Sequence, residues 1–169
     1  MPVIVEDNLE FSFPNTFEAF KLDNVQYYLS HLQSKFGGSK SVDFVCYEKN
    51  GPRAYLIEVK DYSVHARTKS VPIENEISLK VRDSLWILSA IANQSGDQNI
   101  SAKAREFHRK TSVSVYLHLE QPHTLRAFHP IISETNLTIA LNKILKKISG
   151  KTRISNTRTQ GLPWTVRRI

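Results

Sequence analysis

Asp43 lies in the run SVDFVCYE, and Glu58 and Lys60 lie in RAYLIEVKDY, three charged side chains along two otherwise apolar stretches. Two carboxylates and a lysine suit hard-cation chemistry. Carboxylate oxygens bind ions such as Mg²⁺, and an ammonium beside the ion orients water or neutralises charge growing on a phosphate. A hairpin would bring the three together, and Asn50-Gly51 between the runs is a turn signal. A two-residue loop at Asn50-Gly51 pairs Lys49 with Pro52. Proline has no N–H for that closing bond, which favours a four-residue loop, Lys49 to Pro52, pairing Glu48 with Arg53. Both loops share one register, which sets Asp43 opposite Glu58 with their Cβ atoms ~5 Å apart. Lys60 then lies diagonally across from Asp43 on the same face. Opposed carboxylates repel, and a divalent cation offsets that repulsion. The competing reading is a half-exposed hairpin in which Lys60 forms a salt bridge with Asp43 or Glu58.

The elements that must position these residues are readable from periodicity. Asn15 or Thr16 is placed to cap a first helix with Phe17, Phe20, Val25, Tyr28, Leu29, Leu32 and Phe36 at three- and four-residue intervals, stopped by Gly37-Gly38. The hairpin strands are expected near 42–47 and 54–60. Ile73 to Ala92 carries Ile77, Val81, Leu85 and Leu88 on one helical face, and Ser101 would cap a short basic helix, 102–110. Val113, Val115, Leu117 and Leu119 alternate in a further strand, and Leu137 to Ile148 forms the last helix before Gly150. Residues 3–5 and 10–13 could add a short strand. The order helix, hairpin, helix, strand, helix predicts an α/β fold with a central mixed β-sheet flanked by helices. One domain over 1–150 is expected, followed by a basic tail over 151–169 without long regular structure.

At Asp43 and the triplet Glu58-Val59-Lys60 the chain resembles the PD-(D/E)XK nuclease superfamily, the fold of many restriction enzymes and Holliday-junction resolvases. In that family an aspartate begins one strand and a Glu-x-Lys closes the next. Ser41-Val42 stands where the family commonly has proline. The resemblance spans about residues 17–119 and implies a restriction-endonuclease-like core. It implies Mg²⁺- or Mn²⁺-dependent phosphodiester hydrolysis, with Asp43, Glu58 and the Val59 carbonyl on the metal and Lys60 on the attacking water. Many members also bring a glutamate from the first helix to the metal, a position that Glu18 in TFEAFK resembles; a first-turn glutamate is equally explained by the helix dipole. DNA is the expected substrate, and a homodimer or larger assembly would supply a second cut. A non-catalytic nucleic-acid-binding module and an interaction subunit of a larger assembly are the rival functions.

Charge distribution bears on the partner. The 169 residues carry a net +7, but residues 135–169 hold eight basic and no acidic side chains, leaving the first 134 at −1. Lys146, Lys147, Lys151 and Arg153 in that region, and Lys103, Arg105, Arg109 and Lys110 in KAREFHRK, are candidate phosphate contacts, with solvation as the alternative. Trp164 would pack against its own domain or stack on a base. Lys80 and Arg82 read as a solvated helix face, with an approach of Lys80 to the cleft as the alternative, His65 as a loop residue near the cleft, and His118 with Glu120 as an exposed strand face. The longest apolar stretch, Leu85 to Ala92, is far short of the ~20 residues a membrane span needs. The N-terminus has no basic start or long apolar core, and Cys46 stands alone, so a reducing cytoplasm and no membrane are expected.

Overall fold

The computed structural model describes residues 1–122 and 130–169, the side chain of Phe36 excepted. His123 and His129 lie outside the described residues. Eight strands and three α-helices occur among the described residues: β1 (Val3–Glu6), β2 (Leu9–Ser12), β3 (Phe17–Lys21), β4 (Phe44–Glu48), β5 (Arg53–Asp61), α1 (Ile73–Gln94), α2 (Gln98–His108), β6 (Ser112–Glu120), α3 (Glu134–Leu145), β7 (Lys151–Ser155) and β8 (Thr165–Arg168). A mixed sheet runs β3-β4-β5-β6-β7, and a smaller sheet runs β1-β2-β8. β3, β4 and β5 pair antiparallel, whereas β6 and β7 pair parallel to their neighbours. The fold is α/β, as expected.

Both faces of the large sheet are covered. Val45, Leu56, Val115 and Leu117 pack with Ile77, Val81, Leu88, Ile91 and Leu141 from the helices. Phe44, Tyr55, Ile57 and Tyr116 face the other way, toward Phe11, Phe13 and Trp164 of the small-sheet side. Period-two alternation along each strand produces this division. Truncating a fully buried α1 residue such as Ile77 or Leu88 to alanine would cost ~2–5 kcal/mol.

Three expectations are corrected. The first helix is absent: Phe17–Lys21 is a strand paired to β4, and only a π-helical turn, Tyr28–Leu32, and a 3₁₀ turn, Lys35–Gly37, follow. Phe17 and Phe20 are three apart, so in a strand they point to opposite faces. Each enters a different core, and a two-faced strand therefore mimics helical spacing. The short basic helix is capped by Asp97, whose carboxylate accepts from Asn99 and Ile100 N–H, while Ser101 lies inside it and donates to the Ala92 carbonyl. Residues 151–169, expected as a tail, contribute β7 to the large sheet and β8 to the small one. No helix among the described residues is long and apolar enough to cross a membrane.

Candidate metal centre

The hairpin forms with the expected loop and register. Phe44 pairs with Ile57 and Val45 with Leu56, so one step further sets Asp43 against Glu58. Leu56, Glu58 and Lys60 alternate onto the helix-covered face, beneath α1. Asp43 is the residue immediately before β4, and three elements fix it. Its carbonyl accepts from Leu22 N–H (3.1 Å) and its Oδ2 from Val59 N–H (2.6 Å). Just upstream, Val42 N–H donates to Ser84 Oγ (2.8 Å) and Lys40 N–H to Asp83 Oδ2 (3.1 Å), both on α1.

Glu58 is fully buried. Its Oε1 accepts from the ammonium groups of both Lys60 and Lys80, the latter at 2.6 Å, while its Oε2 is buried with no hydrogen-bond partner. Burial, reinforced by the nearby Asp43 charge, pushes the Glu58 carboxyl up to about 7 against the pull of the two lysines. Burial alone would lower Lys60, but Glu58, Asp43 and Glu76 hold it above its usual range, so it stands as an ammonium. Lys80 also reaches Asp43 Oδ1 (3.5 Å) and bridges the two carboxylates. Glu76, in the first turn of α1, takes Lys60 Nζ (3.5 Å), Arg67 (2.9 Å) and Lys69 (2.6 Å).

Two further carboxylates converge on Asp43. Glu6 ends β1 and Asp23 follows β3, and one oxygen from each lies within 4.8 Å of an Asp43 oxygen and of each other. Glu6 pairs with Lys21 at 2.6 Å, and Asp23 Oδ1 is buried without a partner. Burial raises both carboxyls above their ordinary range, and Asp43 adds to the effect. Glu6, Asp23 and Asp43 form an oxygen-rich donor set that fits a hard divalent cation, and Glu58, with its orphaned Oε2, lies across from Asp43 on the neighbouring strand.

Sequence reasoning missed Glu6 and Asp23, and of the two readings of Lys80 the less favoured one, approach to the cleft, is what the structure shows. Lys80 is not on a solvated face. Glu76, Lys80 and Asp83 recur at four and three residues beside the buried stripe of Ile73, Ile77 and Ser84, the one signal that could have found it.

Glu18 does not join the site. It lies opposite Tyr47, four residues along β4 from Asp43 and so roughly 13 Å away, and pairs with Lys103 at 2.8 Å. The other KAREFHRK cations are also engaged within the fold. Arg105 donates to the Ala92 carbonyl, Arg109 and Lys110 pair with Glu106, and Lys110 sits 5.3 Å from the Tyr47 ring centre. Lys146, Lys147, Lys151 and Arg153 are exposed, from the end of α3 to edge strand β7. His65 is exposed in the loop after β5. His118 and Glu120 are buried, contrary to expectation, and bond at 3.0 Å on the face toward the small sheet, because β6 is covered there by Phe11. Trp164 packs against Phe13, Tyr55 and Tyr116. Comparison with family models, with curated proteins and with solved structures returns no match.

Proposed function

We propose that the chain is a divalent-metal-dependent nuclease of the PD-(D/E)XK type, acting on phosphodiester bonds in DNA. The observation that carries this reading is the buried, partnerless Oε2 of Glu58 beside Asp43. A carboxylate retained only for a salt bridge would direct both oxygens at donors. Asp43, Glu58 and the Val59 carbonyl would hold Mg²⁺ or Mn²⁺, with Glu6 and Asp23, grouped at Asp43, in place of the glutamate expected at Glu18. When bound, the ion would polarise a phosphoryl oxygen and make water more acidic. The hairpin, α1 and β6 follow in the order that the family resemblance implies, which adds support.

The protein's own groups have separable roles. Lys60, an ammonium held between Glu58 and Glu76, orients water and neutralises charge growing on the phosphate. Lys80 occupies the space between Asp43 and Glu58 as a built-in counter-ion and must yield it to the cation. Ser84 and Asp83 position Asp43 through the backbone they hold.

Incubation of the purified chain with labelled DNA in Mg²⁺, in Mn²⁺ and in EDTA tests the reading. Cleavage confined to the metal-containing reactions, and slowed by roughly 10²–10⁴-fold in a folded Lys60→Ala variant, is expected. Binding without cleavage in any metal would replace the nuclease with a nucleic-acid-binding module.

A further inference from the structure

A hollow of about 360 Å³ adjoins the metal centre and is lined there by Asp23, Asp43 and Lys80. Gln33, Lys40 and Ser41 line it as well, from the stretch between the π-helical turn and β4. Among the described residues, the Lys40 ammonium, the Gln33 side-chain amide and the Ser41 hydroxyl have no hydrogen-bond or ion-pair partner. Ser41 is 5% exposed. A buried hydroxyl ordinarily finds a partner, so one left open beside a hollow marks a place for an acceptor. The stretch is pinned on both sides of Ser41, where Lys40 N–H donates to Asp83 and Val42 N–H to Ser84. Gln33 is fixed by its backbone, its N–H donating to the Tyr28 carbonyl and its own carbonyl accepting from Ser39 N–H.

From this arrangement we infer that the hollow binds a phosphate of the substrate strand flanking the one at the metal, with Lys40 as its cation and Ser41 and Gln33 as neutral donors. This rests on the nuclease reading and names the path of the strand. Donors without partners complement an anion, and the two carboxylates in the hollow, Asp23 and Asp43, belong to the metal donor set. Lys40 stands three residues before Asp43, a span of at most ~10 Å, and a strand advances ~3.4 Å per nucleotide. Lys40 therefore meets a phosphate within about three nucleotides of the scissile one. The strand leaves the centre on the β3–β4 side of the sheet, whereas Lys151 and Arg153 lie at the opposite edge, on β7.

The test follows the anisotropy of fluorescein-labelled DNA, single-stranded and duplex, in Mn²⁺ over a salt series. It uses a Lys60→Ala background so that the probe survives the titration, beside a cleavage assay of the wild type. Adding Lys40→Ala is expected to lower the log–log salt slope by about 1, and Lys40→Arg to keep it. Ser41→Ala removes a neutral donor and is expected to weaken binding about 2- to 10-fold at unchanged slope. Lys35, exposed on the same stretch but outside the hollow, is the control, and Lys35→Ala should change neither quantity. An unchanged slope in Lys40→Ala, or an equal fall in Lys35→Ala, overturns the inference. Metal-dependent cleavage by wild type with an unchanged Lys40→Ala slope sinks the inference and leaves the nuclease standing. Wild type that neither binds nor cleaves nucleic acid sinks both.

Discussion

Lys80 and Glu58 meet at 2.6 Å beneath α1, where the lysine also lies 3.5 Å from Asp43. An ammonium in that place competes with any cation for the same oxygens. Lys80→Ala is therefore expected to tighten Mn²⁺ binding by at least about tenfold, since a unit charge ~4 Å from a divalent cation contributes ~2 kcal/mol even at the dielectric of water. The same variant should lower the melting temperature of the metal-free protein, because Glu58 loses a partner, and Mn²⁺ should restore it. Calorimetry and thermal unfolding with and without Mn²⁺ measure both effects. Weaker Mn²⁺ binding in Lys80→Ala would show that the lysine supports the metal rather than standing in for it.

The Glu58 carboxyl, raised from 4.5 to about 7, gives a pH signature of defined sign. The fold favours its protonated form, so its contribution to metal-free stability is complete below pH 4.5 and is lost as pH rises through 7. Metal binding needs the ionised form. Mn²⁺ affinity should fall on acidification below about 7, by up to tenfold per pH unit, and the metal-free stability profile of Glu58→Gln should flatten over the same window. A flat Mn²⁺ affinity between pH 6 and 8 would contradict this.

Glu76 behaves in the opposite sense. Burial opposes its charge but is outweighed by Lys69, Lys60 and Arg67, which bring it down to about 2. The stability it contributes is present above pH 4.5 and is lost as pH falls toward 2. Urea unfolding should find Glu76→Gln less stable than wild type at pH 7, with the difference shrinking at pH 3. An unchanged difference at the two values would remove Glu76 from the cation network.

The hairpin, its register and α1 were readable because local signals specify them. Asn50-Gly51-Pro52 selects the loop, and Ile77, Val81 and Leu88 mark one face. β3 was not, because Phe17 and Phe20 serve two cores in a pattern that also reads as a helix. KTRIS alternates Thr152 and Ile154 with polar residues over only five positions and TVRR is shorter still, signals too brief to stand out from a tail; β6 and β2 recruit both through backbone pairing. The site divides the same way. Asp43, Glu58 and Lys60 belong to one hairpin, while Glu6 and Asp23 arrive from β1 and the turn after β3, whose placement depends on tertiary packing.

The exposed cations at the β7 edge are the basic cluster left for phosphate contact, although lysine and arginine on an edge strand also deter unwanted pairing. Deleting residues 151–169 would remove two strands, so point substitution is the appropriate probe. Each of Lys146→Ala, Lys147→Ala, Lys151→Ala and Arg153→Ala that removes a phosphate contact should lower the log–log salt slope of DNA binding by about 1. Slopes that stay at the wild-type value in all four would assign these residues to edge protection alone.

The central claim is that Asp43 and Glu58 share one divalent cation. Calorimetric titration of Mn²⁺ into wild type, Asp43→Ala and Glu58→Ala addresses it without reference to substrate. Wild type should bind, and each variant should remain folded, freed of like-charge repulsion, while losing the binding isotherm. Unchanged Mn²⁺ affinity in both folded variants would contradict the account.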